Sequence, residues 1–298
     1  MKSGFLVFLL SAAITLGATF TWDGSSSTLV SEKSNWTGNK TPSGNPDLVF
    51  NTSLISTTNV YFDYSGGATT VADDVTFTPS AGSFTLSSDG GATLKIGNID
   101  NQSTDLQIFD LALEFQNKET VLAGGPVQFN QAISTKTGNN ELTFTGNSEI
   151  IAGASNIFSA AIELNLDGTT LDLSDTSQSF SSITITGDSI IDFGGSSATI
   201  SLGSLTVTAG TLTVQNWTGD PGDFAVTDAV DEASIGNISF DGWGDATWDS
   251  GDGVTPTPVP EPAHYGAVLT GILLVWKLQR MKRQRKRDDS AGVPAHSV

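Results

Sequence analysis

Carboxylates are the side chains in this sequence that could carry out chemistry. Between positions 19 and 262 the chain has no Cys, no His and no Arg. This stretch therefore lacks a Ser-His-Asp or Cys-His nucleophile system and a His-ligated metal site. Two carboxylates about 5–9.5 Å apart could still hydrolyse a glycoside. The sequence offers two such pairs at outward positions of predicted neighbouring strands, Asp172 with Asp192 and Glu163 with Asp172.

The abundance of acids argues against an active site at either pair. The chain has 32 acids and 13 bases, and only two of the acids, Asp288 and Asp289, follow position 262. So many carboxylates on one domain form close pairs by chance, and we expect solvated surface charge rather than a catalytic dyad. The prediction is a protein without enzymatic activity, and a carboxylate-dependent glycoside hydrolase is an alternative.

Another acidic group lies in a glycine-rich stretch after position 240. Ca²⁺ prefers hard oxygen ligands such as carboxylates. The spacing of these aspartates matches neither the EF-hand loop nor the Gly-Gly-x-Gly-x-Asp repeat. We predict no cofactor, and this group is the one candidate for a calcium site. It consists of Asp241, Asp245, Asp249 and Asp252.

The last 40 residues contain three signals in a fixed order. A Val259-Pro260-Glu261-Pro262 box comes first, and its prolines favour an extended backbone. Residues 263–278 follow as a predicted hydrophobic helix, and residues 279–298 form a basic cytoplasmic tail. This order is typical of a chain stopped in a bilayer with its basic end in the cytoplasm. The basic cluster consists of Lys277, Arg280, Lys282, Arg283, Arg285, Lys286 and Arg287.

This order resembles the PEP-CTERM sorting signal of Gram-negative bacteria, which a membrane transpeptidase called exosortase recognises. The resemblance implies that exosortase processes the chain at or near Pro260, Glu261 and Pro262 and transfers the body to a surface carrier. It also implies extracellular polysaccharide as a further partner, because such proteins are associated with bacteria that make it. Residues 263–278 are fewer than the ~20 that usually span a bilayer. We therefore expect a transient anchor, with a permanent C-terminal membrane anchor as the alternative.

The N-terminus predicts export. Lys2 precedes an apolar run from Phe5 to Leu16, and Gly17 and Ala18 follow. This is the pattern of a signal peptide at residues 1–18, which the Sec translocon would pass through the inner membrane. The exported domain, residues 19–253, would be strongly acidic, so nucleic acid is excluded as a partner. Residues 254–262 would form a proline-rich linker that contains the sorting box.

Short alternating runs predict the fold of this domain. From Val71 to about Val214, apolar residues occupy every second position in runs of three to five residues, separated by Gly, Ser, Asn and Asp. This predicts an all-β domain, an irregular right-handed parallel β-helix, with a β-sandwich as the alternative. Because the chain has no cysteine, cohesion must come from the core. We expect residues 235–240 to form the last strand, and a polar, glycine-rich loop to follow it.

Residues 19–50 resemble the start of autotransporter-type β-solenoid passengers. They contain the motifs Trp22-Asp23-Gly24 and Asn35-Trp36-Thr37, and we expect them to cap the first coil.

These features together predict an exported, non-enzymatic surface or extracellular-matrix protein that is delivered by its tail. A carbohydrate-binding adhesin is a further alternative, in which an exposed indole stacks on a sugar ring. The candidates for that stacking are Trp217, Trp243 and Trp248.

Overall fold

The computed structural model describes residues 18–51, 58–63, 70–88, 92–116, 119–195, 197–220 and 222–257. Apart from Ala18, the predicted signal peptide lies outside these residues. The sorting box, the hydrophobic helix and the basic cluster lie outside them too. Within the described ranges, no helix has the length and apolar character needed to cross a bilayer.

The described part of the chain is an all-β solenoid built on three sheets. Sheet I consists, in spatial order, of β1 (Thr19–Trp22), β2 (Asp47–Phe50), β5 (Asp74–Phe77), β8 (Asn98–Asn101), β11 (Glu119–Ala123), β14 (Glu141–Thr145), β16 (Glu163–Asp167), β18 (Ser177–Ile185), β20 (Thr199–Val207) and β22 (Phe224–Val226). Sheet II consists of β3 (Asn59–Phe62), β6 (Thr85–Ser88), β9 (Gln107–Asp110), β12 (Val127–Phe129), β15 (Glu149–Ala152), β17 (Thr170–Asp172), β19 (Ser189–Asp192), β21 (Leu212–Gln215), β23 (Ile238–Phe240), β24 (Gly244–Asp249) and β25 (Gly253–Pro256). Sheet III consists of β4 (Thr70–Val71), β7 (Thr93–Ile96), β10 (Ala112–Phe115) and β13 (Ile133–Thr135). The helices of these ranges are a 3-10 turn at Lys33–Asn35 and the single-turn α1 at Glu232–Ile235.

Strands of successive coils pair in parallel throughout sheets I and III and along sheet II as far as β23. The β-helix prediction is confirmed at this level, and the β-sandwich alternative is wrong. Coil length varies: Leu164 pairs with Ile183, nineteen positions on, and Thr19 pairs with Asp47, twenty-eight positions on. The strands stay in register while the corners absorb the difference, so the sequence has no strict repeat. Residues 19–50 are more than a cap, because β1 and β2 already belong to the parallel ladder of sheet I.

Alternate side chains of each strand point into the solenoid and form one continuous core. Phenylalanines of successive coils contact one another there, with ring centroids 5.2 Å apart for Phe50 and Phe77 and 5.5 Å apart for Phe109 and Phe129. Fully burying one such side chain stabilises the fold by about 1.5–3 kcal/mol. A buried amide also lies in the core, because Gln107 donates to the carbonyls of Gly82 and Asp105 and accepts from the N–H of Phe84.

The N-terminal end of the solenoid is covered by residues 28–37. The indole rings of Trp22 and Trp36 meet edge to face, with centroids 5.0 Å apart. The N–H of Thr37 donates to the carbonyl of Thr21 at 2.9 Å, which gives one backbone group at the outer edge of β1 a hydrogen-bond partner. The N–H of Tyr61 likewise donates to the carbonyl of Thr28 at 2.7 Å, at the outer edge of β3. Covering of this kind keeps a sheet edge from pairing with another chain.

The C-terminal end differs from the expectation. Composition predicts a loop at residues 241–253 and a linker from residue 254, but β24 and β25 run antiparallel after β23. Val254 is completely buried, and the indole Nε1 of Trp248 donates to the carbonyl of Val226 at 3.1 Å. This hairpin packs over β22, the last strand of sheet I. The folded body therefore extends to Pro256, because pairing with β23 outweighs the polar, glycine-rich composition.

Candidate functional site

A ladder of carboxylates lies on the outer face of sheet II. Asp172 on β17 and Asp192 on β19 are direct neighbours in the parallel register. Glu149 lies at the start of β15, the strand before β17. Burial raises the pKa of the Glu149 carboxyl above its ordinary value, and the charges of Asp172 and Asp192 raise it further. A carboxyl with a raised pKa beside a second carboxyl group is the arrangement from which glycosidases take their general acid.

The hydrogen bonds of the two aspartates indicate a structural role instead. Asp172 accepts the N–H of Ser174 at 2.7 Å. Asp192 accepts the N–H of Gly194 at 2.8 Å and an amide N–H of Asn216 at 2.7 Å. Each carboxylate thus closes the turn that ends its own strand and is held against the protein.

The second predicted pair is wrong. Glu163 is on β16 in sheet I, where its register neighbours are Glu141 and Ser182, whereas Asp172 is on sheet II. Consecutive strands of one coil join different sheets, so they are not neighbours. Glu149 was missed, although the runs Glu149-Ile150-Ile151, Leu171-Asp172 and Ile191-Asp192 share an acid beside inward-facing aliphatic residues.

The calcium candidate is dispersed along the C-terminal hairpin. Asp245 and Asp249 are on β24, whereas Asp241 and Asp252 are in the turns on either side of it, and all four are exposed. Asp249 accepts the N–H of Gly251 at 2.8 Å and closes a turn. Within the described ranges, no three acidic groups lie close enough together to hold a metal ion.

A cavity of about 200 Å³ lies at the corner between sheets II and III, across three successive coils. Its ionisable lining residue is Asp110, whose Oδ1 accepts an amide N–H of Gln131 at 3.2 Å. One carboxylate that already has a partner cannot supply both an acid and a base. The lining residues are Ser88, Ala92, Thr93, Asp110, Leu111, Ala112 and Gln131.

The three candidate indoles differ in accessibility. Trp217 is only 9% exposed. Trp248, on β24, is partly buried against the core, and its Nε1 donates to the carbonyl of Val226. Trp243 is 40% exposed. Its ring centroid lies 5.3 Å from that of Trp217, in an edge-to-face arrangement, and Trp217 contacts Phe240 at 5.2 Å. The structure therefore unites Trp217 and Trp243 in one cluster but presents only Trp243 to solvent.

The residues of the sorting box and the basic cluster lie outside the described residues, so their geometry is not part of this site. Comparison of the chain with protein-family models, with curated proteins and with solved structures found no match.

Proposed function

We propose that this chain is an exported, non-enzymatic β-solenoid that an exosortase delivers to the cell surface or extracellular matrix. The proposal depends on the order of the signals after the folded body. The last strand, β25, ends at Pro256, and the Val259-Pro260-Glu261-Pro262 box begins three residues later. The strands that hold the body together thus end before the box, the apolar run and the basic cluster begin.

Each part of the tail has one role in this proposal. Glu261 presents a single negative charge between two prolines, so a protease groove can bind this segment with little loss of conformational entropy. Residues 263–278 anchor the chain until it is processed. The bases from Lys277 to Arg287 keep the tail on the cytoplasmic side, as positive residues do beside a stop-transfer segment.

Two features of the body support a structural rather than catalytic role. Its best-placed carboxylates, Asp172 and Asp192, are engaged in turns, and the described cavity has one ionisable lining residue, Asp110. We further propose that the coils wind right-handed, which is the usual hand of crossovers between parallel strands.

The proposal is tested by Glu261→Ala in a host that has an exosortase. We expect this variant to remain at full length in the inner-membrane fraction, whereas the wild type loses its tail and leaves that fraction. Intact mass and fractionation measure both effects. Glu163→Ala is the matched control, because it removes an exposed carboxylate from the body, and it should be processed like the wild type. A Glu261→Ala protein with the same mature mass and location as the wild type would refute the sorting role.

A further inference from the structure

Trp243 is an exposed aromatic side chain in a protein that buries nearly all others within its described part. Only Leu29 and Trp243 are large apolar side chains with high exposure there, at 37% and 40%. They lie at opposite ends of the chain's folded body. Tryptophan is enriched at binding surfaces, because it combines a large apolar ring with one polar N–H group.

The Trp243 ring is held in place before any ligand arrives. Its backbone N–H donates to the carbonyl of Phe240 at 3.1 Å, and its ring meets the edge of Trp217. Gly219 lies close to the same ring: a Cβ there would come within 3.0 Å of the Cη2 atom of Trp243. Gly219 has a φ of +95°, a conformation that favours glycine. The ring is thus a rigid platform, and little entropy is lost when something stacks on it.

The residues next to Gly219 and Trp243 in the chain indicate the class of ligand. Asp220 and Asp241, which are close in the chain to Gly219 and Trp243, are both exposed carboxylates. Carboxylates accept hydrogen bonds from hydroxyl groups, and the acidic body repels anions. A purely apolar partner would leave these carboxylates desolvated and unpaired. A pyranose ring has an apolar C–H face and a rim of hydroxyls, so it can satisfy both the indole and the carboxylates.

Trp217 provides an independent observation. Its indole Nε1 is buried and has no hydrogen-bond partner among the described residues. A buried donor without an acceptor is unfavourable. The ring that packs against Trp243 therefore carries a buried donor that no described residue satisfies.

We propose that Trp243, supported by Trp217 and Gly219, binds a sugar residue of a polysaccharide that has no acidic groups. The site lies at the C-terminal end of the solenoid, close to the point where the body ends at Pro256. Binding at this site does not depend on exosortase processing, so it can fail or hold independently of the proposed function.

Affinity electrophoresis of the full-length chain in mild detergent tests the site with neutral glucan and mannan and with anionic alginate. We expect a neutral glycan to retard the wild type and alginate to have no effect. Trp243→Ala should weaken that retardation about tenfold or more, since aromatic anchors carry much of the binding energy of a site. Trp243→Phe should keep most of it. Leu29→Ala is the matched control, because it removes an equally exposed apolar side chain elsewhere, and it should bind like the wild type.

A measurement on the wild type alone guards against misfolding of a variant. N-bromosuccinimide oxidises accessible indoles, and peptide mass spectrometry locates the modified residue. A saturating concentration of neutral glycan should slow the oxidation of Trp243. The same concentration of alginate should leave the oxidation rate unchanged. The proposal is overturned if neither neutral glycan retards the wild type, if Trp243→Ala binds as well as the wild type, or if the glycan leaves the oxidation rate of Trp243 unchanged.

Discussion

Aspartates at the ends of strands and helices act here as hydrogen-bond acceptors. Asp231 illustrates this, because its Oδ1 accepts the N–H of Ser234 at 2.9 Å and caps α1. The backbone and side-chain hydrogen bonds from Ser234 lower the pKa of Asp231. A carboxylate with a lowered pKa stabilises the fold above its unfolded-state pKa, and this stabilisation is lost as the pH falls through the folded-state value.

Asp47 is the opposite case. Burial raises the pKa of Asp47, and the charges of Asp74 and Asp73 raise it further. The folded state therefore binds this proton more tightly than the unfolded chain does. Ionised Asp47 destabilises the fold as the pH rises through its folded-state pKa, and the effect is absent below its unfolded-state pKa.

We expect Asp47→Asn to raise the free energy of unfolding at pH 7 by about 0.2–1 kcal/mol, the usual size of a partly exposed charge interaction. The same change should have almost no effect at pH 3, where Asp47 is largely protonated in both states. Urea unfolding at the two pH values measures the difference. Asp105→Asn, at an exposed acid, is the control and should change little at either pH. A loss of stability at pH 7 in Asp47→Asn would contradict the prediction.

The elements at the two ends of the solenoid differ from the coils between them. The coils are joined by parallel pairing, whereas the C-terminal end is closed by the antiparallel hairpin of β24 and β25. Gly253, at the start of β25, packs so tightly on β22 that a Cβ there would collide with the carbonyl oxygen of Phe224. This glycine therefore allows the hairpin to cover the last strand of sheet I.

Substitution at Gly253 tests that closure. Gly138 has a similar backbone conformation, with φ of +88° against +74°, but a Cβ there would meet nothing within 4 Å. Gly138→Ala should lower the free energy of unfolding by about 1–2 kcal/mol, which is the cost of placing an L-residue in the left-handed region. Gly253→Ala should lower the free energy of unfolding by about 1–3 kcal/mol more than Gly138→Ala does, which is the usual cost of overpacking. It should also aggregate faster, because the edge of β22 is uncovered. Chemical unfolding and light scattering measure the two effects. Equal losses at both positions would show that the hairpin does not pack in this way.

Alternation predicted the elements inside the coils but not those at the C-terminal end. The runs Ile183–Ile185 and Leu212–Val214 show period-two burial, and both are strands. β24 and β25 contain Gly, Asp, Thr and Pro, so their strand character comes from pairing and not from composition. The false neighbour pair of Glu163 and Asp172 has a similar origin, because the sheet that a strand joins is decided at the corners, where alternation carries no signal.

At the scale of the whole molecule, the solenoid is a stack in which each coil mainly contacts the coils before and after it. Such stacks have a stability that is close to a sum of coil and interface terms. The register of sheet I shows which positions are equivalent. Leu164 and Ile183 are partners, and both are inward-facing and fully buried. Removing residues 164–182 would therefore join Glu163 directly to Ile183, which can take the place of Leu164.

We expect this 19-residue deletion to fold as a shorter solenoid, with a strand-type circular dichroism spectrum and one cooperative unfolding transition at lower denaturant concentration. Deleting residues 164–181 is the matched control. It removes one residue fewer and places the outward-facing Ser182 in the position of Leu164. Because side chains alternate along a strand, this shift turns the apolar side chains of the following strand towards solvent. The control should therefore be recovered mainly as aggregate. If both shortened chains fold equally well, or if neither folds, the match of inward-facing positions between successive coils does not decide folding.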